Sequence, residues 1–213
     1  MAEEYVQFGC GTTAPKSFRN FDAGPAFWLQ KTAPILTPVL KRRGFPIYPD
    51  NIEYCDVTKG FPIPPATVKA VYCSHVLEHL SLKEFRATLR NTFTILQPGG
   101  TFRLVLPDLE HLLRSYMESD DSEAASRFMR ESYLGKESAP SGLGKIAQTV
   151  FGRSSHLWMW DEKNMTKELV DAGFNQIRRA QFGDNPDPHF RDVESEGRWE
   201  NCLGMECKRP LNF

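Results

Sequence analysis

The chain has 213 residues, 40% apolar and 12% aromatic, a globular composition large enough for one buried core. Its 26 basic and 27 acidic residues leave a formal charge of −1, which gives no field for drawing in a polyanion and disfavours nucleic acid as a partner. No apolar run has the length of a membrane span, and the amino-terminal MAEEYVQFG lacks the apolar stretch of a signal peptide. Five scattered cysteines (Cys10, Cys55, Cys73, Cys202, Cys207) form no C-x-x-C pair and read as reduced thiols, so a soluble, cytoplasmic protein is expected.

Taken in chain order, short apolar runs alternate with turn signals. A brief strand over 4–8 ends at Gly9-Cys10-Gly11, and an alternating one over 17–22 ends on Asp22. Residues 25–49 carry Pro25, Pro34, Pro38, Pro46 and Pro49, so any helix there is short or broken. A strand over 51–56 ends on Asp56, and VKAVYCS, 68–74, runs straight into the stretch CSHVLEHL, 73–80. Leu82, Phe85, Leu89, Phe93 and Leu96 make one helical stripe over 82–96, with Ser81 as N-cap. After Pro98-Gly99-Gly100 a strand over 101–107 ends at Pro107-Asp108.

The next stretch, 109–160, is long for one connection and holds helical pieces near 109–118 and 123–134; it reads as a helical lid or substrate cap. The acidic run 118–123 within it reads as a solvated loop. A helix over 162–172 stops at Gly173, and strands follow over 176–182 and 202–209. The expected fold is α/β: a single domain, 1–213, with a Rossmann-like, doubly wound, seven-stranded and mainly parallel sheet.

In CSHVLEHL, His75, Glu78 and His79 would share one helical face, the H-x-x-E-H spacing of zinc peptidases. That chemistry needs a continuous long helix and a third ligand on the following one, whereas this motif begins at a strand end. In an open parallel sheet, ligands bind outside the carboxyl ends of the strands, near the switch in strand order. Those ends carry the glycine loop, Asp22, Asp56, Ser74 with His75, and Asp108. A carboxylate closing the second strand suits a ribose diol, because it accepts both hydroxyl hydrogens. Taken singly, each has a plain alternative as a turn or cap residue.

The segments VQFGCG (6–11), NFD (20–22), YCSHVLEHLS (72–81), ILQPGGTFRLVLPDLEHL (95–112) and HLWMWDEKNMTKELVDAGF (156–174) together resemble class I S-adenosylmethionine-dependent methyltransferases. The resemblance is closest to a small, methyltransferase type 11-like group associated with glycan biosynthesis. It implies O-methylation of a sugar or glycan hydroxyl, with a small molecule or oligosaccharide as substrate and further domains of a larger glycan-synthesis polypeptide as partners. Gly9, Cys10 and Gly11 would line the methionine part of the cofactor and Asp22 would hold the ribose. Asp56 and Val57 would flank the adenine, while Ser74 and His75 would pass close to the methyl group. Two departures stand out. Gln7 occupies the usual acidic position before the glycine loop, and only ten residues separate Gly11 from Asp22, too few for the usual helix.

Related O-methyltransferases of the ubiquinone pathway and of small RNAs bind a divalent cation through Glu-x-x-Glu-His at this position. The resemblance therefore makes His75, Glu78, His79 and the later His156 candidate metal ligands. Three imidazoles and one carboxylate suit Mn, Fe, Co or Zn better than Mg. A metal-free site with His75 or His79 as general base, and a purely structural motif, stay open, with Asp108 a secondary base or substrate ligand. His111 reads as surface, and His189 lies in a late loop within reach of substrate. Trp158, Trp160, Phe151 and Tyr133 either pack the lid or stack on a sugar ring. Other readings are a non-catalytic binding module, or methylation of another small molecule or an RNA 2′-hydroxyl.

Overall fold

Strands form where β-branched and aromatic residues run together, and glycine, proline or aspartate ends each run. The computed structural model describes residues 4–137 and 155–212. Seven strands, β1 (Glu4–Phe8), β2 (Arg19–Asp22), β3 (Ile52–Tyr54), β4 (Val68–Ser74), β5 (Leu96–Pro107), β6 (Asn175–Ala180) and β7 (Cys202–Lys208), form one sheet in the order β3-β2-β1-β4-β5-β7-β6. The first five run parallel, and β7 lies antiparallel between β5 and β6. This is the expected mainly parallel, seven-stranded architecture.

The helices are α1 (Pro25–Thr32), α2 (Thr37–Arg42), α3 (Leu82–Ile95), α4 (Leu109–Met117), α5 (Ala124–Glu131) and α6 (Glu162–Asp171). The proline-rich segment yields only the short α1 and α2, as its composition dictates. Helix α3 starts in a full capping box: Glu84 donates its backbone N–H to the Ser81 hydroxyl, and the Glu84 carboxylate accepts from the Ser81 N–H at 3.0 Å. Strand β5 begins five residues earlier than the sequence suggests. Pro98-Gly99-Gly100 does not break it but makes a bulge, with Gly99 at φ +80° and the Gly99 N–H donating to the Arg209 carbonyl. Of the long stretch after β5, α4 and α5 are described; 138–154, and Phe151 with it, lie outside the described residues.

Strand alternation divides the core. Val6, Phe8, Val71, Cys73, Phe102 and Leu104 face α3 and α6, where Phe85, Leu89, Met165 and Leu169 meet them. Tyr5, Ala70, Tyr72 and Val105 face the other way, under Phe18, Phe190, Val193 and Trp199. Much of that second cover is the irregular segment 181–201, and one buried cation pins it.

Arg103, in the middle of β5, pairs with Glu194 and also reaches Glu206 at 2.8 Å, Asp184 at 2.9 Å and the Gln181 carbonyl at 2.7 Å. Its guanidinium also lies over the Trp199 ring at 4.6 Å. Removing one partner of a buried pair strands the other charge, at a cost of about 3–5 kcal/mol. Arg103→Leu should therefore lower the melting temperature by roughly 10 °C, and a smaller shift would mean that water reaches Glu194. Partial burial raises the Asp184 pKa, but Arg178, the Gln181 amide and Arg103 reverse this to about 2. Its contribution is thus complete above about pH 4 and is lost as pH falls through about 2. Asp184→Asn should flatten the melting curve across that acid window.

Candidate active site

The strand order reverses between β1 and β4, and the residues at their carboxyl ends border a cavity of about 630 Å³. Gly9 and Gly11 turn the chain there with φ of +63° and +56°. A side chain on Gly9 would strike Val76, whereas a Cβ on Gly11 would meet nothing within 4 Å and would project into open space. Asp22, closing β2, accepts from the Gly11 N–H at 2.9 Å and from the Gly24 N–H at 2.6 Å, so its carboxylate pins the glycine loop.

Asp56 accepts from the Thr58 hydroxyl at 2.6 Å and pairs with Lys59 at 2.9 Å. Partial burial raises its pKa, and these contacts more than reverse that shift. Of the residues expected around the cofactor, Gly9, Gly11, Asp22, Asp56, Val57 and His75 line this cavity. Cys10 and Ser74 do not: Cys10 packs with Phe27 and Ile52, and Ser74 is buried on the sheet. Gln7 is likewise buried within β1.

The His75–His79 stretch is not α-helical. His75 leaves β4 at φ +54°, and Leu77–His79 forms a single 3₁₀ turn held down by buried Leu77 and Leu80. The left-handed backbone at His75 followed by this turn brings His75 Nδ1 to 3.4 Å from Glu78. The Glu78 backbone carbonyl accepts from the Leu157 and Trp158 N–H groups at 2.7 and 3.2 Å, which draws His156 against the motif. One ligand atom from each of Glu78, His79 and His156 lies within 4.8 Å of the others.

Glu78 is 0% exposed, and neither carboxylate oxygen has a hydrogen-bond partner among the described residues. His156 Nδ1 is also buried without a partner, and burial holds its pKa below the usual histidine value. His79 Nδ1 donates to the Ser155 carbonyl at 3.2 Å, and Nε2 lies 4.0 Å from the Glu78 carboxylate. His75 stands apart from the other three. Its Nε2 donates to the Arg198 carbonyl at 2.9 Å and Nδ1 faces Glu78, so both ring nitrogens are engaged. Burial opposes its charge, but contacts with Cys202, Glu78 and the Arg198 carbonyl raise its pKa to about 10. The raised pKa and two engaged ring nitrogens favour the protonated ring, which weighs against His75 and toward His79 within the general-base reading.

A second cavity, of about 760 Å³, meets the first at His75 and His79. Asp108, His111, Leu112, Ser115, Glu131, Tyr133, Asn201 and Cys202 are among its walls. Asp108 caps α4 through the Glu110 N–H at 2.9 Å and pairs with Arg179 at 2.5 Å, so its carboxylate is already engaged as an anchor. His111 lines this cavity from α4. His189 does not approach it: the ring stacks on Tyr5 at 4.0 Å and pairs with Asp187 at the amino end of the sheet. Trp160 is buried against Phe85 as packing, while Tyr133 is more than half exposed and stands 4.9 Å from the His156 ring. Arg198, Asn201 and Cys202 were not foreseen as site residues, because only folding back of the 181–201 segment brings them to His75.

An open β3-β2-β1-β4-β5-β7-β6 sheet with a glycine loop at its switch point is the class I S-adenosylmethionine-dependent methyltransferase architecture. Residues 37–104 match a family described as a methyltransferase domain. Among solved structures, an S-adenosylmethionine-dependent methyltransferase from Thermotoga maritima superposes with a TM-score of 0.52, at 13% identity, over 98% of this chain and 83% of its own. A chain from the Haloferax volcanii complex containing the Trm112 methyltransferase activator gives 0.49 at 16% identity, over 99% and 85%. Burkholderia thailandensis 1,6-didemethyltoxoflavin-N1-methyltransferase, with S-adenosylhomocysteine bound, gives 0.46 at 11%, over 98% and 72%. No curated protein matches the sequence. The domain match over residues 37–104 and the fold together support an S-adenosylmethionine-dependent methyltransferase.

Proposed function

We propose that the chain methylates a hydroxyl of a sugar or glycan, with Glu78, His79 and His156 holding a divalent cation at the border between the two cavities. The observation that carries this reading is the cluster itself: ligand atoms of Glu78, His79 and His156 lie within 4.8 Å of one another around a fully buried carboxylate that His75 Nδ1 approaches only to 3.4 Å. A long contact to one ring leaves this buried carboxylate short of hydrogen bonds, which a bound cation would complete. Two nitrogens and one carboxylate oxygen suit Mn, Fe, Co or Zn.

The cofactor cavity fits S-adenosylmethionine, with open space at Gly11 for the amino-acid end and the Asp22 carboxylate at the ribose position. The donor supplies a methyl group on a good leaving group, and a cation in the site lowers the pKa of an alcohol beside it. Asp22 and the glycine loop orient the donor. His111, Glu131 and Asn201 offer hydrogen bonds to a polyhydroxylated acceptor, and Tyr133 a face for its C–H groups. Helices α4 and α5 stand along one wall of the second cavity, as part of an acceptor cap on a single domain. The free thiols at all five cysteines support a cytoplasmic setting.

The place of His79 on the wall of both cavities, with Nδ1 held by the Ser155 carbonyl, supports a second reading, in which Nε2 accepts the hydroxyl proton without a metal. Assays with labelled donor and a panel of rhamnose, fucose and mannose glycosides and sugar nucleotides, before and after chelation, separate the two. Loss of transfer on chelation, recovery with Mn or Zn, and loss of both metal and turnover in His79→Ala are expected. Full turnover of the chelated enzyme would leave His79 as base. Transfer only to non-sugar acceptors would remove the glycan reading.

A further inference from the structure

The proline-rich segment between Asp22 and Asp50 plays no part in the chemistry above, yet it borders the cofactor cavity through Pro25 and, next to its far end, Tyr54. Its composition differs sharply from the rest of the chain. Four of the 26 basic residues, and none of the 27 acidic ones, lie in it. It also concentrates exposed apolar side chains: Trp28 at 48%, Ile35 at 85%, Val39 at 49% and Phe45 at 49%. Scattered single apolar residues on a surface are ordinary, but a run of them within one segment is not. Lys41, Arg42 and Arg43, at the end of α2, are exposed and form no ion pair among the described residues.

We propose that this segment docks the enzyme on an anionic lipid surface. No helix of the described residues is long and apolar enough to cross a membrane, so the contact is peripheral. Short helices that carry an indole, aliphatic side chains and a basic cluster, with no acidic residue among them, have the chemistry of interfacial binding. The apolar groups enter the boundary between headgroups and chains while Lys41, Arg42 and Arg43 meet lipid phosphates. An acidic protein partner would be expected to face the cations mainly; here large apolar side chains are exposed as well, up to 85% at Ile35, which favours a bilayer. Because Pro25 and Tyr54 are cavity walls, docking would hold the mouth of the cofactor cavity near the membrane. The inference stands whether or not the acceptor is a sugar.

Sedimentation of the full chain with vesicles tests it, using phosphatidylcholine alone and phosphatidylcholine with 30 mol% phosphatidylglycerol as a chosen ratio. Binding to the anionic vesicles, weakened by about tenfold or more at 0.5 M salt, is expected. The variant Lys41→Glu/Arg42→Glu/Arg43→Glu should lose it, and Ile35→Ser/Phe45→Ser should weaken it, with S-adenosylmethionine affinity unchanged in both as evidence of an intact fold. No binding to anionic vesicles, equal binding to neutral ones, or unchanged binding by the charge-reversed variant would overturn the proposal. A salt-sensitive complex with a protein but not with vesicles would also overturn it.

Discussion

Replacing Glu78 with glutamine is expected to lower turnover by about 100-fold or more while leaving S-adenosylmethionine affinity within about threefold. The substitution keeps shape and volume and removes only the charge. Backbone bonds from Leu157 and Trp158 to the Glu78 carbonyl are untouched, so the His156 segment stays in place. Glu78 does not line the cofactor cavity, which is why binding of the donor should survive. Glu78→Gln also leaves the His75 ring, 3.4 Å away, without its carboxylate, so a modest fall in melting temperature with chelator present is expected and turnover is the deciding readout. A purely structural Glu78 would show that fall with turnover within about threefold of the parent. Calorimetry with Mn or Zn completes the test, because the variant should no longer take up the ion that the parent binds.

The architecture was legible because each strand announces itself locally. EYVQF and VKAVYCS are continuous buried runs with a glycine or polar end, and β1 and β4 occupy just those residues. The capping box at Ser81 and Glu84 was visible for the same reason, since both partners lie within one turn. What the sequence concealed depends on distant segments meeting. Arg103 is a lone charge in a buried strand, a visible oddity, but its partners Glu194 and Glu206 lie about ninety and one hundred residues away. His75 looked like a base in its own motif; the Arg198 carbonyl, 123 residues on, engages the nitrogen that would have been free. His189 shows the converse: its loop was foreseen near the substrate, and its stacking on Tyr5 takes it to the far end of the sheet. The helical face expected for His75, Glu78 and His79 became a 3₁₀ turn because Leu77 and Leu80 are both anchored in the core.

The two glycines of the loop after β1 have different duties, and alanine at each should show it. An ideal Cβ on Gly9 falls 2.1 Å from Val76 Cγ2, far inside van der Waals contact, and φ of +63° adds left-handed strain. Overpacking costs about 1–3 kcal/mol and the strain about 1–2 more. For a chain of this length that is a fall of about 10 °C in melting temperature. Val76→Ala should recover much of the loss, because it removes the atom that collides and leaves only the Val76 Cβ position, 3.3 Å away. No recovery would mean that strain, rather than the collision, dominates. Gly11→Ala should behave otherwise. Its φ of +56° brings the same left-handed strain, about 1–2 kcal/mol, but there is no atom within 4 Å for the new methyl to strike. The protein should melt only a few degrees lower while S-adenosylmethionine affinity falls by about tenfold or more, since the methyl group occupies space at the cavity wall. Equal affinity in Gly11→Ala would place the donor elsewhere. A large stability loss at Gly11 with a small one at Gly9 would invert the assignment of packing to the first glycine and ligand approach to the second.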